Sequence, residues 1–293
     1  MGNFLQYTLT GLAAGSLYAL VALGLVLIYR SARVLNFAHG DVATFGTFVA
    51  FSLATSGRPL WISLPLALLA GAVVAVVFYF AALVPAQRKG ATQLGQVILT
   101  LGLALIFQGV TVYQWGAEPT SFPFPLSDTK VWKVGPVYVS ELAIGTLAAA
   151  ALASLLLFLL TQKTRLGLAM RATSENLQAA QTLGIPTRQV LAFAWGAAAA
   201  LGVVAGVFLA PVLMLDPFFM LDPMFKGLAA AVLGGLNSLP GAVVGGLILG
   251  VVESLAGGYL AMEFKSSLAF VLIVAVLLVR PEGLLGREFQ ERV

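Results

Sequence analysis

The chain has 293 residues, of which 60% are hydrophobic and 10% are charged, and its formal net charge is +4. Soluble domains carry about 25% charged residues, so this composition excludes a water-soluble globular protein and indicates a membrane bundle. Cysteine is absent and histidine occurs once. These counts exclude a disulfide framework and argue against a catalytic zinc site, so no cofactor is predicted.

The N-terminal apolar run predicts a retained membrane span. No charged residue precedes Arg30, and the run is longer than the apolar core of a signal peptide. A spanning helix needs about 20 apolar residues, so the apolar runs, divided at Gly and Pro, predict an all-α polytopic bundle of about eight to ten spans, some of them short or broken. The nine working spans are 6–29, 41–56, 60–84, 94–114, 141–162, 190–213, 224–237, 241–259 and 264–280.

The basic residues between these spans predict the orientation of the chain. With the N-terminus outside and the C-terminus in the cytoplasm, eleven Lys and Arg residues fall inside and five outside, as the positive-inside rule requires. We expect a single transmembrane domain over 1–293, with a cytoplasmic loop at 163–189 and a cytoplasmic tail at 281–293. The aromatic outside loop at 115–139 is expected to cap the bundle at the interface. The five outside residues are Arg58, Lys130, Lys133, Lys226 and Lys265.

A polar break follows the first predicted span. Asn36, His39, Gly40 and Asp41 lead directly into a short apolar segment. Polar backbone at membrane depth is tolerated only inside protein or along a cavity, and the charge of Asp41 would complement the first turn of a helix. The break is interpreted either as a capped turn on the inside or as a joint beside a transport path.

A similar segment precedes the eighth predicted span. Residues 236–243 match residues 35–42 at four of eight positions, and they include Asn237, Pro240 and Gly241. Duplicated transporter folds leave such traces as interrupted helices in corresponding places. An internal repeat is one hypothesis and a chance match is the other. Helix N-termini at both segments would be placed to meet an anionic group.

Glycines four residues apart recur along the chain, as in Gly11–Gly15, Gly202–Gly206 and Gly241–Gly245. Small residues at this spacing let helix backbones approach closely in lipid. The pattern therefore predicts a tightly packed bundle.

The cytoplasmic loop at 163–189 is basic and helix-forming. Thr173 or Ser174 is predicted to cap a helix over 173–184, which Gly184 ends. A surface helix lying idle at the membrane interface is one interpretation. A rigid helix presented to a cytoplasmic partner is the interpretation that we favour.

Patterns typical of catalytic sites are missing from the sequence. No Gly-Lys dipeptide occurs, so the chain has no P-loop for ATP. The acidic residues are scattered, without a pair at the helical spacing that general acid–base catalysis would use. A non-catalytic subunit is therefore expected. Candidate polar linings of a pathway, for which hydrogen bonding between helices is the competing explanation, are Asn36, Gln96, Gln108, Asn237 and Glu253.

Three stretches together resemble the LivH-type permease subunits of branched-chain amino acid ABC importers, and the similarity extends through essentially the whole chain. The pattern Gln178-Ala179-Ala180-x-x-x-Gly184 is also similar to the EAA-x-x-x-G coupling loop of ABC importer permeases, with Gln where Glu is usual. That departure puts in doubt a salt bridge between this position and an ATPase. The three stretches are GLAAGSLYALVALGLVLIYRSARVLNFAHGD (11–41), GLAMRATSENLQAAQTLGIPTRQVLAFAW (167–195) and AAVLGGLNSLPGAVVGGLILGVVES (230–254).

The resemblance implies the ABC importer permease fold and a location in the bacterial inner membrane. It implies four kinds of partner: a second homologous permease subunit, two cytoplasmic ATP-binding subunits, a periplasmic substrate-binding protein and an amino-acid substrate. The cargo would be leucine, isoleucine or valine, or a related solute. The residues expected to couple the chain to the ATPase are Arg171, Ser174, Glu175, Gln178, Ala179, Ala180 and Gly184.

Other classes of function remain open from the residues alone. An ion-coupled secondary transporter would use an ionisable group at membrane depth, and Glu253 is the clearest candidate. A membrane-embedded enzyme would need a clustered catalytic constellation, which the sequence does not offer. A purely structural membrane subunit is a further alternative.

Overall fold

Helices account for most of the chain that the computed structural model describes, which is residues 2–259, 265–280 and 282–286. The prediction of an all-helical polytopic bundle with short helices is confirmed. Within these residues, a short β-hairpin is the departure from it. In chain order the elements are α1 (Gly2–Ala32), α2 (His39–Thr55), α3 (Leu60–Phe78), a π-helical turn (Tyr79–Leu83), α4 (Val84–Arg88), α5 (Gln93–Trp115), β1 (Val131–Val134), β2 (Val137–Ser140), α6 (Glu141–Lys163), α7 (Arg165–Glu175), α8 (Leu177–Thr182), α9 (Thr187–Leu213), α10 (Leu221–Gly234), α11 (Leu239–Tyr259) and α12 (Lys265–Val279).

Six helices in the described part of the chain are long and apolar enough to cross a membrane: α1, α3 with its continuation to Arg88, α5, α6, α9 and α11. The other three predicted spans hold the shorter helices α2, α10 and α12. The 14 residues of α10 extend about 21 Å at 1.5 Å per residue, which is less than a hydrocarbon core of about 30 Å. By length alone, α10 is therefore too short to span the membrane.

The first helix forms the centre of the bundle together with α9. Both are apolar around most of their circumference, and both are largely buried by their neighbours, as expected for helices without a polar face. Where α1 crosses α11, a Cβ atom at Gly15 would lie 2.6 Å from the Gly246 carbonyl oxygen. One at Gly11 would lie 2.7 Å from that of Gly250. The close packing predicted from the glycine spacing is confirmed at this crossing.

The N-terminus and the β-hairpin lie at the same end of the bundle. The Gln6 amide donates to the Tyr138 carbonyl at 2.9 Å and accepts from the Tyr138 N–H at 2.8 Å. In the segment before the hairpin, Phe122 is buried in the bundle, and the Trp115 indole donates to the Ser52 hydroxyl at 2.7 Å. Residues 115–139 therefore cover this end of the bundle, partly as an ordered hairpin that the sequence did not predict.

The opposite end carries α7 and α8, together with the turn between α10 and α11. The described tail, 282–286, packs on that turn, because the Leu284 and Leu285 N–H groups donate to the carbonyls of Leu233 and Gly234 at 2.8 and 3.0 Å. The rest of the predicted cytoplasmic tail lies outside the described residues. The N-terminus and the described part of the tail therefore lie at opposite ends of the bundle.

Candidate functional site

The segment after α1 re-enters the bundle before α2 begins. His39, the first residue of α2, is 1% exposed and packs between Gly24 of α1 and Gly202 near the middle of α9. A Cβ atom at Gly202 would lie 3.1 Å from the His39 ring. Neither ring nitrogen has a hydrogen-bond partner among the described residues. The helix α2 therefore starts near mid-depth in the bundle, and not at its surface.

Side chains satisfy the backbone of this re-entering segment. The buried Asn36 accepts from the Ala38 N–H at 3.1 Å through its side-chain oxygen, which is the geometry of an Asx turn. Thr100 of α5 accepts from the Phe37 N–H at 3.1 Å. Non-helical backbone can persist at this depth because protein groups replace water as partners.

A cavity of about 320 Å³ lies where the start of α2, the middle of α5 and the start of α10 meet. Gly40 is at its closed side, and a Cβ atom there would lie 3.0 Å from Met224 Cβ and 3.3 Å from the Met220 carbonyl oxygen. Asp41 and Gln108 supply its polar groups, and the Gln108 amide donates to Asp41 Oδ1 at 2.8 Å. Three of the predicted site residues, Gly40, Asp41 and Gln108, are thus brought to one place.

The other predicted lining residues lie elsewhere. Gln96 accepts from the Gln87 amide at 2.9 Å beside the turn between α4 and α5. Gly241, the third residue of α11, approaches the backbone of Gly234 at the end of α10. Its N–H donates to the Ser238 hydroxyl at 3.1 Å. Pro240 is the second residue of α11, and Asn237 lies in the turn between α10 and α11.

The two predicted helix starts therefore do not face a common site. The neighbour of Gly40 is the start of α10, with Met220 at the N-cap and Met224 in the first turn. Gly241 is in the first turn of α11 and lies beside the opposite end of α10. Both matched segments lead into helices, as the repeat hypothesis requires, but their surroundings differ.

A cluster of charges lies where α10 and α11 meet. Lys226, which was expected in an outside loop, is instead buried within α10. Its Nζ lies 2.5 Å from Glu253 Oε1, 2.7 Å from Asp222 Oδ2 and 5.5 Å from the centre of the Tyr18 ring. A lysine four residues after an aspartate inside an apolar stretch was the signal that sequence reasoning missed. Glu253 is thus paired within the protein and lies apart from the cavity.

Two short helices, α7 and α8, replace the single helix predicted over 173–184. Thr164 caps α7 by accepting from the Gly167 N–H at 3.0 Å, and Asn176 caps α8 by accepting from the Ala179 N–H at 2.9 Å. The predicted caps are wrong because Thr173 is buried inside α7 and the Ser174 hydroxyl donates back to the Arg171 carbonyl at 2.9 Å. Asn176 has the extended conformation of an N-cap residue and divides the segment.

The end of α8 has the geometry that the sequence predicted. Gly184 has φ of +78°, its N–H donates to the Gln181 carbonyl, and the next N–H, of Ile185, donates to the Ala180 carbonyl, both at 3.0 Å. These two bonds define a Schellman motif. Ala180 is buried while Gln178, Ala179 and Gly184 are exposed, so α8 is fixed from below and presents its outer face.

Arg171 and Glu175 complete the set of residues expected to couple this loop to a partner. Arg171 donates to the Gln162 side-chain oxygen at 2.9 Å, which ties α7 to the end of α6. Glu175 is the exposed last residue of α7. The segment formed by α7 and α8 is therefore folded, and it is attached to the bundle at the end of α6 and the start of α9. We call this segment the elbow.

Comparison with known proteins gives a match across the whole bundle. The family described as "Branched-chain amino acid transport system / permease component" matches residues 7–277. The high-affinity branched-chain amino acid transport system permease protein LivH of Salmonella typhimurium is 33% identical, over 99% of this chain and 98% of that protein. The corresponding protein BraD of Pseudomonas aeruginosa is 32% identical over the same shares of both chains.

Among solved structures, a chain of PsaBC from Streptococcus pneumoniae in complex with Fab covers 94% of this chain and 90% of its own length. Its TM-score is 0.49 and its sequence identity 16%. The family match includes the start of α2, the cavity and the elbow of α7 and α8. The chain therefore belongs to the family of permease components of branched-chain amino acid transport systems, as a multi-pass, non-catalytic membrane subunit.

Proposed function

We propose that the chain forms one half of the membrane pathway of an ATP-driven ABC importer for branched-chain or related amino acids in the bacterial inner membrane. The remaining parts would be a second homologous permease, two cytoplasmic ATP-binding subunits and a periplasmic binding protein. The sequence contains no Gly-Lys dipeptide and hence no P-loop. Energy from ATP therefore has to reach this chain through contact with another subunit.

The charge distribution supports placing the elbow of α7 and α8 in the cytoplasm. Eleven of the 16 Lys and Arg residues lie in sequence segments predicted to be cytoplasmic. Because Lys226 is buried in α10, four remain in segments predicted to be outside. The bias favours a cytoplasmic elbow more strongly than the sequence alone did.

The observation that carries the proposal is the exposed and rigid outer face of α8. Leu183 at its tip is 80% exposed, and Leu177 at its start is also exposed, whereas Ala180 between them is 2% exposed and anchors the helix. An apolar tip held by a capped start and a Schellman end is preorganised for docking into a groove of another protein. We assign that role to an ATP-binding subunit.

A movement of α8 can be transmitted to the start of α2 through α9. The Gln181 amide donates to the Thr187 hydroxyl at 3.2 Å, so α8 is tied to the first residue of α9. Further along α9, Gly202 contacts His39, which is followed by Gly40 and Asp41 at the cavity. Closure of the ATP-binding subunits would shift α9 and alternate the access of the cavity. For this to drive transport, the two states must bind the cargo differently.

The experiment is a pair of glycine substitutions in the reconstituted importer. Gly184 and Gly90 both lie in exposed turns with positive φ, +78° and +76°, and a Cβ atom at either would meet no atom within 4 Å. Valine at either position imposes similar backbone strain. We expect Gly184→Val to abolish leucine uptake and binding-protein-stimulated ATP hydrolysis in membrane-inserted complexes, while Gly90→Val retains both. Equal activity of the two variants would remove the elbow from the coupling mechanism.

An ion-coupled secondary transporter that uses Glu253 is the alternative function. The Glu253 carboxylate lies 2.5 Å from the Lys226 ammonium. Protonation of Glu253 would therefore leave Asp222 as the anionic neighbour of Lys226. A buried, paired carboxylate of this kind is explained by the packing of α10 on α11. The cavity does not include it.

A further inference from the structure

The cavity between α2, α5 and α10 places a carboxylate at mid-depth in the bundle without a cation beside it. Within the described part of the chain, the salt bridges found are those of Lys226, and Asp41 takes part in neither. Its recorded side-chain partner is the neutral amide of Gln108. Ionisable groups at this depth are costly and are usually paired or functional. A cationic group is the partner that this site lacks.

The walls of the cavity are apolar. Leu101 and Leu105 of α5 face Met224, Phe225 and Leu228 of α10 across it. The volume of about 320 Å³ is at the lower end of the range of about 300–1,000 Å³ for small-molecule sites. Methionine side chains adapt to apolar groups of different shape. The cavity therefore fits a small molecule with one compact apolar side chain.

The open side of the cavity cannot be sealed by lipid. Leu105 and Phe225 at its rim are exposed on the outer surface of the chain, so the opening leads away from the bundle. A carboxylate facing hydrocarbon would be strongly unfavourable, and polar surface at this depth must line protein or water. The opening therefore faces water or another subunit of the importer, and not lipid.

A backbone donor lies at the same place. The first four N–H groups of a helix have no acceptor within it. Among those of α2, Gly40 lines the cavity, whereas the Asp41 N–H bonds to its own carboxylate. The Gly40 N–H is therefore the donor available to an anionic group on the ligand, beside the carboxylate that binds its cationic group.

We propose that this cavity is a binding site, within the permease, for a zwitterionic amino acid with a branched apolar side chain. Asp41 accepts the ammonium group, Gln108 orients Asp41, and the leucine, methionine and phenylalanine side chains surround the apolar group. This inference rests on the proposed function, since it assigns a residence site on the path of the same cargo. It makes Asp41 a substrate-binding residue and Gln108 a positioning residue.

The test uses the complete importer in proteoliposomes and photo-leucine, the diazirine analogue of leucine. We expect light to attach it to peptides from α5 and α10 that contain Leu101, Leu105 or Met224, and an excess of leucine to prevent the labelling. Isocaproate, which has the shape of leucine without the ammonium group, should compete at least about tenfold more weakly, because one charge-assisted bond is lost. Labelling confined to other helices would overturn the proposal.

A second experiment compares two variants. Asp41→Asn keeps the oxygen that accepts from Gln108 but removes the charge, so the fold should persist while leucine labelling and uptake fall at least about tenfold. The control is Glu141→Gln at the start of α6, where the carboxylate accepts from the Ser127 N–H at 3.3 Å, far from the cavity. Uptake in Asp41→Asn equal to that in Glu141→Gln would contradict the role of Asp41. If the wild-type complex itself shows no ATP-dependent uptake, the proposed function fails, and that result is distinct from a misplaced label.

Discussion

Lys226 of α10 and Glu253 of α11 form a buried ion pair, with 2.5 Å between Nζ and Oε1. Asp222, one turn before Lys226, approaches the same ammonium at 2.7 Å, but 61% of its side chain is exposed, against 1% for Glu253. The pair is therefore asymmetric. Lys226 keeps an anionic neighbour if Glu253 is neutralised, whereas Glu253 loses the ammonium next to it if Lys226 is removed.

This asymmetry predicts unequal effects of the two single substitutions. Lys226→Met leaves a buried carboxylate without its cation and should lower the free energy of unfolding by roughly 3–5 kcal/mol. Glu253→Gln leaves Lys226 with Asp222, so its loss should be clearly smaller. Thermal unfolding of the purified subunit in detergent measures both. The double variant Lys226→Met/Glu253→Met should recover much of the loss, and equal losses in the two single variants would contradict the asymmetry.

The crossing of α1 and α11 predicts a difference between two helical glycines. A Cβ atom at Gly15 would lie 2.6 Å from the Gly246 carbonyl oxygen, whereas one at Gly109 would meet nothing within 4 Å. Gly15→Ala should therefore destabilise the subunit by roughly 1–3 kcal/mol. Gly109→Ala, at a helical site with open space, should be neutral or stabilising by up to about 1 kcal/mol. The midpoints of unfolding in detergent would show this, and a reversed order would refute the crossing.

The contact between His39 and Gly24 predicts that a second substitution restores the stability lost by the first. A Cβ atom at Gly24 would lie 2.6 Å from His39 Nε2, so Gly24→Ala should destabilise the start of α2 by roughly 1–3 kcal/mol. Adding His39→Ala removes the overlapping ring and should restore much of the stability. Leucine uptake by the stable double variant then separates two roles: normal uptake indicates that His39 only packs, and lost uptake indicates that the transport path needs its imidazole. If His39→Ala does not restore the stability, the His39 ring does not pack against Gly24.

The cap of α8 predicts a graded effect on coupling. Asn176 accepts from the Ala179 N–H at 2.9 Å, and replacing such a cap by alanine costs about 1 kcal/mol. Asn176→Ala should increase amide hydrogen exchange over 177–182 and reduce binding-protein-stimulated ATP hydrolysis several-fold. Asn176→Asp retains the acceptor oxygen and should behave as the wild type. Unchanged exchange in Asn176→Ala would show that the cap does not hold the helix.

The sequence predicted the parts of the fold that follow from local physics. Each predicted span corresponds to a helix because apolar length alone requires one in lipid. Gly184 marked the end of α8 because a positive φ there favours glycine. The cap at Asn176 was missed because Thr173, Ser174 and Asn176 are all possible caps. Thr173 is excluded by its burial inside α7, and Ser174 by the bond from its hydroxyl to the Arg171 carbonyl.

The site required contacts between distant parts of the chain. Asp41 and Gln108 are 67 residues apart, and Lys226 and Glu253 are 27 apart, so no local pattern relates them. The neighbour of Gly40 proved to be the start of α10, and the second glycine motif did not reach it. Which helix start faces which depends on the packing of α2 on α9, which the sequence pattern does not specify.

The most direct test of the importer assignment is leucine uptake into proteoliposomes that contain the complex purified from native membranes. We expect this chain to be recovered with a second permease and two ATP-binding subunits, and uptake to require ATP and the binding protein. A collapsed proton or sodium gradient should leave that uptake unchanged. Uptake by this chain alone, driven by an ion gradient and abolished by Glu253→Gln, would contradict the account.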